Sequence, residues 1–272
     1  MGKLRLAASC LSVALVLGVA FVRPADAAPR WAKASQATIH PGVQVISESG
    51  QCTANFVFYD SKDVYIGMAA HCTSLGGQTD TNGCKTPARK VPTRVQIEGA
   101  RRTGYVVYNS WKTMQKVGEL RGDRCLDNDF ALIKINSADR SRVNPSIPFW
   151  GGPTGYDTSA PTGEAVYSYG DSGLRFEVSA LSPKKGVATD DYDGGWAHGI
   201  YTASPGIPGD SGSAVLGSRG GALGVLSTIQ SVPPGENIAS DLYRAVRYMK
   251  DHTSKFDRVK LAKGTERFQP LP

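Results

Sequence analysis

Short runs of apolar and polar residues alternate along most of the chain: "VQVIS", "TANFVFY", "DVYIGMAA", "TRVQIEG", "RTGYVVY" and "DFALIKI", then "EAVYSYG", "LRFEVSAL", "GIYTA", "SAVLG" and "ALGVLSTI". Their period is close to two, and Gly, Pro, Asn and Asp punctuate them. That pattern predicts many short strands and an all-β barrel or sandwich. The Pro/Gly-rich stretch from Asn144 to Gly155, "NPSIPFWGGPTG", reads as a linker between two β halves. One segment has a different period. In "SDLYRAVRYMKDH", Leu242, Ala245, Val246 and Met249 fall on one face of a helix running from Asp241 to His252, with Ser240 as its N-cap and Asp241 in its first turn. The basic tail that follows, "KFDRVKLAKGTERFQPLP", reads as solvated surface.

The first residues do not belong to this pattern. A basic start (Lys3, Arg5), an apolar run from Leu6 to Val22 and the small residues Ala25 and Ala27 predict a secretory signal over residues 1–27. The remaining chain divides into an N-terminal segment, 28–40, a first β unit, 41–146, a second β unit with the helix, 147–256, and the tail, 257–272. Charge adds little. Lys and Arg exceed Asp and Glu by 31 to 24, or +7, and removing Lys3, Arg5, Arg23 and Asp26 with the signal leaves 7 − 3 + 1 = +5. No basic stripe interleaved with aromatics is present, so nucleic-acid binding is not expected. After removal of the signal no stretch is apolar enough to predict a membrane span. Cys10 leaves with the signal. Cys52, Cys72, Cys84 and Cys125 remain, an even number that in an exported protein predicts two disulfides. The residues alone leave three pairings open. With no C-x-x-C pair, a zinc cage is not expected, and no metal or cofactor is predicted.

The sequence Gly-Asp-Ser-Gly occurs twice, around Ser172 and around Ser211. A serine hydroxyl is a weak nucleophile; it needs a base, a group that orients the base, and donors for an oxyanion. The chain has four histidines. His40 precedes a proline and His252 ends the predicted helix, so both read as surface. His71 follows an apolar strand in "YIGMAAHCTS", where a core histidine bonded to a carbonyl is an equal reading. His198, in "GGWAHGIY", is its competitor. Asp129 stands directly before the strand "FALIKI", where its carboxylate would lie at the strand's mouth; from the residues alone Asp127 and Asp123 are equally placed.

Taken together and in this order, "AAHC", "NDFALIKI" and "GDSGSAV" resemble the chymotrypsin-like (trypsin-fold) serine peptidases, in their secreted bacterial form. The resemblance runs from Gln51 to the terminal helix. It implies two six-stranded antiparallel barrels with a C-terminal helix and the site between them. It implies His71 as general base, Asp129 as its orienting acid and Ser211 as nucleophile. The N–H groups of Gly209 and Ser211 would form the oxyanion hole, and Ser227 in "VLSTI" would bond the orienting carboxylate. It also favours Cys52–Cys72, leaving Cys84–Cys125. Ser172 comes too soon after the linker to lie in the second barrel's nucleophile turn and reads as a polar turn residue. The α/β-hydrolase elbow is excluded, because Ser213 and Leu174 stand where its second glycine would be.

Two features depart from the family. No Ile-Val-Gly-Gly start is present, so Asp210 must find a partner other than a freed N-terminus, an arginine or backbone donors, and no N-terminus-triggered activation is expected. Pro205 stands where a trypsin-type pocket has its aspartate, and Ile229, two residues past Ser227, would narrow the pocket. Cleavage after Lys or Arg is therefore not expected from a pocket of Pro205, Ser227 and Ile229. The acidic run Asp190, Asp191 and Asp193 reads as a solvated turn. The expectation is a secreted, extracellular, monomeric serine endopeptidase acting on polypeptides. The alternatives are an inactive binding or adhesion protein of the same fold, and an esterase using the same site.

Overall fold

The computed structural model describes residues 28–77, 80–176, 178–229 and 235–271. The expected signal, Cys10 included, and the side chain of Ile229 lie outside the described residues.

The first half contains β1 (Gln44–Ser47), β2 (Gly50–Thr53), β3 (Val57–Tyr59), β4 (Val64–Met68), β5 (Thr93–Ile97), β6 (Gly104–Asn109) and β7 (Ala131–Lys134). Neighbouring strands are antiparallel, in the order β3-β4-β7-β6-β5-β1-β2. The chain bends between β2 and β3. There the Asn55 N–H donates to Gly67 O at 2.8 Å and the Gly67 N–H to Phe56 O at 2.9 Å, which curls the sheet back on itself. The second half contains β8 (Ala165–Tyr169), β9 (Pro183–Tyr192), β10 (Ala197–Thr202), β11 (Ala214–Leu216), β12 (Ala222–Ile229) and β13 (Asn237–Asp241), closed in the order β10-β13-β12-β11-β8-β9. Closure leaves this sheet no free edge. Inward side chains, among them Val166, Ile200, Val215, Leu223, Leu226 and Ala239, fill it. The closed six-stranded barrel and the curled first-half sheet match the double-barrel architecture that the family resemblance implies, where the strand pattern alone left barrel and sandwich open.

Three helical segments of α type are described. The helix α1 (Ser110–Val117) has no counterpart in the expected elements. Its ends are nonetheless written in the chain: Asn109 accepts the Lys112 N–H at 3.1 Å, and Gly118 closes it at φ 81°. A short α2 (Asp123–Asp127) follows, and α3 (Leu242–His252) comes after β13. Its cap is Asp241, whose Oδ1 accepts the Arg244 N–H at 2.6 Å, not Ser240, which is still strand. The expected face of α3 is buried: Leu242, Ala245, Val246 and Met249 pack into the core that includes the first-half strands.

Two other expectations are corrected. The run "LRFEVSAL" is not a strand where it is described; 3-10 turns occupy Gly173–Arg175 and Ser179–Leu181. Its apolar residues Leu174, Phe176, Val178 and Leu181 are exposed, and Arg175 is the buried one. The strand is the next stretch, β9, whose lysines and glycine hid its period. The tail is not a solvated end either. It forms β14 (Lys260–Leu261), which pairs with β3 and extends the first sheet at that edge. Val259 and Ala262 are buried there, Gly264 N–H reaches Pro153 O at 2.9 Å, and Phe268 packs edge-on against Tyr167. The tail's apolar residues thus join the two halves while its charges stay outside.

Candidate active site

Strand β4 is buried at all five positions and delivers the chain into a 3-10 turn, Ala70–Thr73, that carries His71. Small side chains at Ala69 and Ala70, both fully buried, let this turn pack closely. Three ties hold it. Cys72 is disulfide-bonded to Cys52 on β2. Asn109 Nδ2 donates to Ala70 O and to Thr73 Oγ1, each at 3.1 Å. Ser47 Oγ donates to Cys72 O at 2.6 Å. The second disulfide is Cys84–Cys125, so the pairing implied by the family resemblance is the one formed.

Asp129 leads into β7 and meets His71 with both carboxylate oxygens. Oδ2 lies 2.5 Å from His71 Nδ1, and Oδ1 accepts the His71 backbone N–H at 2.8 Å. Both side chains are fully buried. Ser227 Oγ donates to the same Oδ2 at 2.6 Å. Ser227 sits at an irregularity in the β12–β13 ladder, where Leu226 pairs with Ala239 but Thr228 with Ile238; the extra residue turns its side chain out of the alternation. The Asp129 N–H donates to Ser240 Oγ at 3.3 Å, a support that the sequence reading missed. Burial alone would raise the Asp129 pKa, but the imidazole, Ser227 and the His71 N–H outweigh it and hold the carboxyl below its ordinary value. A carboxylate on Nδ1 selects the ring form with its proton there, which leaves Nε2 a lone pair. His71 Nε2 is buried and bonds no described residue, Ser211 included.

The turn bearing Ser211 is pinned against this first-half assembly through its backbone. Ser211 O accepts the Thr53 N–H at 2.8 Å, Gly212 O accepts Asn55 Nδ2 at 3.0 Å, and the Gly212 N–H donates to Leu226 O at 2.7 Å. Gly212 has φ 89°, and a Cβ there would stand 2.5 Å from Thr53 O and 3.0 Å from Ala69 N, two residues before His71. Ser211 is half-buried. Gly209 O is drawn to the first half by Thr53 Oγ1 at 2.8 Å and Gln51 Nε2 at 3.2 Å. Neither the Gly209 nor the Ser211 N–H donates to a described residue.

Asp210 is fully buried, and its partners are internal. Arg175 Nη2 bonds Asp210 Oδ2, Lys184 Nζ lies 3.1 Å from the same oxygen at ion-pair geometry, and the Ile207 N–H donates to it at 3.0 Å. The arginine and backbone donors expected from the missing Ile-Val-Gly-Gly start are present, and a buried lysine is added. Burial pushes the Lys184 pKa down, and Asp210 offsets this in part.

The remaining candidates separate. Ser172 Oγ donates to Pro208 O at 2.5 Å and accepts the Leu174 N–H at 3.1 Å, so it braces the loop before Ser211 and meets no imidazole. His198 has both ring nitrogens engaged, Nδ1 with Asp191 Oδ1 at 2.6 Å and Nε2 with Asp241 Oδ2 at 2.9 Å, which removes it as a competing base. Asp191 is thus an ion-pair partner rather than part of a merely solvated turn. Asp127 is driven up to about 8 by burial and by neighbouring Asp193, which does not suit an orienting carboxylate. Pro205 is exposed, Ser227 is committed to Asp129, and the Ile229 side chain is outside the described residues.

The overall arrangement has solved counterparts. The crystal structure of Thermobifida fusca protease A aligns at TM-score 0.54 and 17% identity, covering 84% of this chain and 100% of that one. This chain has the chymotrypsin-like double-barrel fold. A glutamic acid-specific serine protease, described as using a histidine triad in substrate binding, aligns on the same fold at TM-score 0.52 and 17% identity, over 82% of this chain and 100% of that one. No family model and no curated protein matches the sequence. Within the chymotrypsin-like fold, the His71 turn comes from the first barrel, the Ser211 turn from the second, and Asp129 lies behind the imidazole.

Proposed function

We propose that this chain is a secreted serine endopeptidase in which His71, Asp129 and Ser211 act together. The observation that carries the reading is the double grip of Asp129 on His71, at 2.5 Å and 2.8 Å, which leaves Nε2 unbonded beside a serine turn anchored on the same strands. In this reading His71 Nε2 takes the Ser211 Oγ proton as Oγ bonds the carbonyl carbon of the substrate. The oxyanion receives the free N–H groups of Gly209 and Ser211. Breaking of the C–N bond returns the proton from Nε2 to the leaving amine, and a water then hydrolyses the acyl-enzyme through the same base. Asp129 stays ionised and offsets the imidazolium that forms.

Asp210 supports the hole without a processed N-terminus, since Arg175 and Lys184 fill the place of an ammonium. Two disulfides suit an oxidising compartment, consistent with export. The substrate side chain would lie near Pro205, Ser227 and Ile229, and no carboxylate at 205 recommends Lys or Arg. The test is a small fluorophosphonate followed by peptide mapping. Labelling at Ser211 that disappears in His71→Ala supports the reading. Folded protein that is unlabelled overturns it and favours a binding protein of this fold, and labelling at Ser172 instead overturns the assignment of Ser211 as nucleophile.

A further inference from the structure

A buried donor without a partner lies between the two stretches that would border a substrate side chain. Asn237 opens β13, is 1% exposed, and its backbone pairs with Ile229 at the end of β12. Strand periodicity puts it on the same face as Ala239, which lines the interior of the second barrel. Its Oδ1 accepts the Gly206 N–H at 3.0 Å, in the segment that runs from β10 to Ser211. That bond fixes which end of the amide is oxygen, because an N–H requires an acceptor. The other end, Nδ2, carries two protons, is buried, and bonds no described residue. An orphaned amide donor costs on the order of 1–3 kcal/mol, so its retention calls for a ligand. Gly206 keeps the donor uncovered. Its φ lies outside the left-handed region, so the backbone does not demand glycine, yet a Cβ there would come within 3.1 Å of Nδ2.

A buried guanidinium lies behind this segment. Arg175 and Lys184 both face the single carboxylate of Asp210, and Arg175 Nη2 also reaches Pro205 O at 3.4 Å. The Arg175 guanidinium backing Pro205 disfavours a Lys or Arg side chain in the pocket.

We propose that Asn237 is the specificity-determining residue of the primary pocket, its free amide N–H groups receiving the side-chain oxygen of Gln, Glu, Asn or Asp on the acyl side of the cleaved bond. This rests on the nucleophile reading above. The pocket then selects by hydrogen bonding, and a side chain of similar size without an acceptor, such as Met or Leu, leaves the donor unpaired.

The experiment is mass spectrometry of a mixed peptide library digested by the full mature chain, with fluorophosphonate labelling of the same preparation. The expected result is at least a tenfold preference for Gln, Glu, Asn or Asp over Met and Leu. Asn237→Asp keeps the acceptor for Gly206 and exchanges the free donor for an anionic acceptor. It is expected to move the ratio of Lys and Arg to Gln and Glu cleavage up by at least tenfold. Gly206→Ala, which sets a methyl against Nδ2, is expected to erase the preference for oxygen-bearing side chains. A labelled wild-type protein that cleaves after Leu as readily as after Gln overturns the assignment of Asn237, as does an Asn237→Asp variant with an unchanged ratio. A folded wild-type protein without labelling overturns the nucleophile reading and this one with it.

Discussion

Asp129 holds His71 at two points, the ring Nδ1 at 2.5 Å and the backbone N–H at 2.8 Å, so the carboxylate fixes both the tautomer of the imidazole and the position of the turn that carries it. Replacement by asparagine keeps the shape and removes the charge. Asp129→Asn is expected to lower kcat by about 10⁴-fold, with the Asn amide competing to hold the wrong ring tautomer. Steady-state kinetics on a peptide substrate, with circular dichroism to confirm folding, checks this.

The two Gly-Asp-Ser-Gly copies differ in what their hydroxyls touch. Ser211→Ala is expected to reduce turnover by several orders of magnitude. Ser172→Ala removes the brace to Pro208 and the cap on the Leu174 N–H. Its expected cost is about 1 kcal/mol of stability, read from denaturant unfolding, with Ser211 still labelled by a fluorophosphonate.

Asp210 depends on two cations that differ in weight. Arg175 makes a direct hydrogen bond and Lys184 an ion pair at 3.1 Å on the same oxygen. Arg175→Met leaves the buried carboxylate with Lys184 and the Ile207 N–H and is expected to destabilise by about 3–5 kcal/mol. It should also slow labelling at Ser211 by loosening Gly209. Lys184→Met removes the excess buried charge, retains the arginine, and is expected to cost less on both measures.

His198 makes the second barrel sensitive to alkaline pH. Burial opposes a charge on its ring, but the bonds to Asp241 and Asp191 outweigh this and raise its pKa above the ordinary 6.5. A group whose folded pKa exceeds its unfolded value stabilises fully below the unfolded pKa and loses that stabilisation as pH rises through the folded one. Tm is therefore expected to fall as the pH is taken upward from about 6.5. His198→Gln should be less stable at acidic pH and should show a flatter profile over the same range. Because Asp241 caps α3, the loss should appear in the helix as well.

The chain itself specified the strand-rich class and the apolar face of the last helix, and it offered as candidates a linker at its Pro/Gly cluster and, through motifs that resemble the family's, His71, Asp129 and Ser211. Each of these is written in contiguous residues: an alternation, a turn cluster, or a motif beside a strand. The pattern "LRFEVSAL" misled because alternation records only that apolar residues recur. Whether anything covers them is decided by other segments, and there the covered residue is Arg175. The tail misled for the opposite reason, since its charges outnumber the few apolar residues that seat it on β3 and against Tyr167.

The pairing of distant groups emerges only on folding: Arg175 and Lys184 with Asp210, Ser240 with the Asp129 N–H, Thr53 with the Ser211 turn, and Asn237 with Gly206. A hydrogen bond or ion pair depends on distance and direction in space. Residues more than a hundred positions apart, such as Asp129 and Ser240, carry no local pattern that announces they will meet.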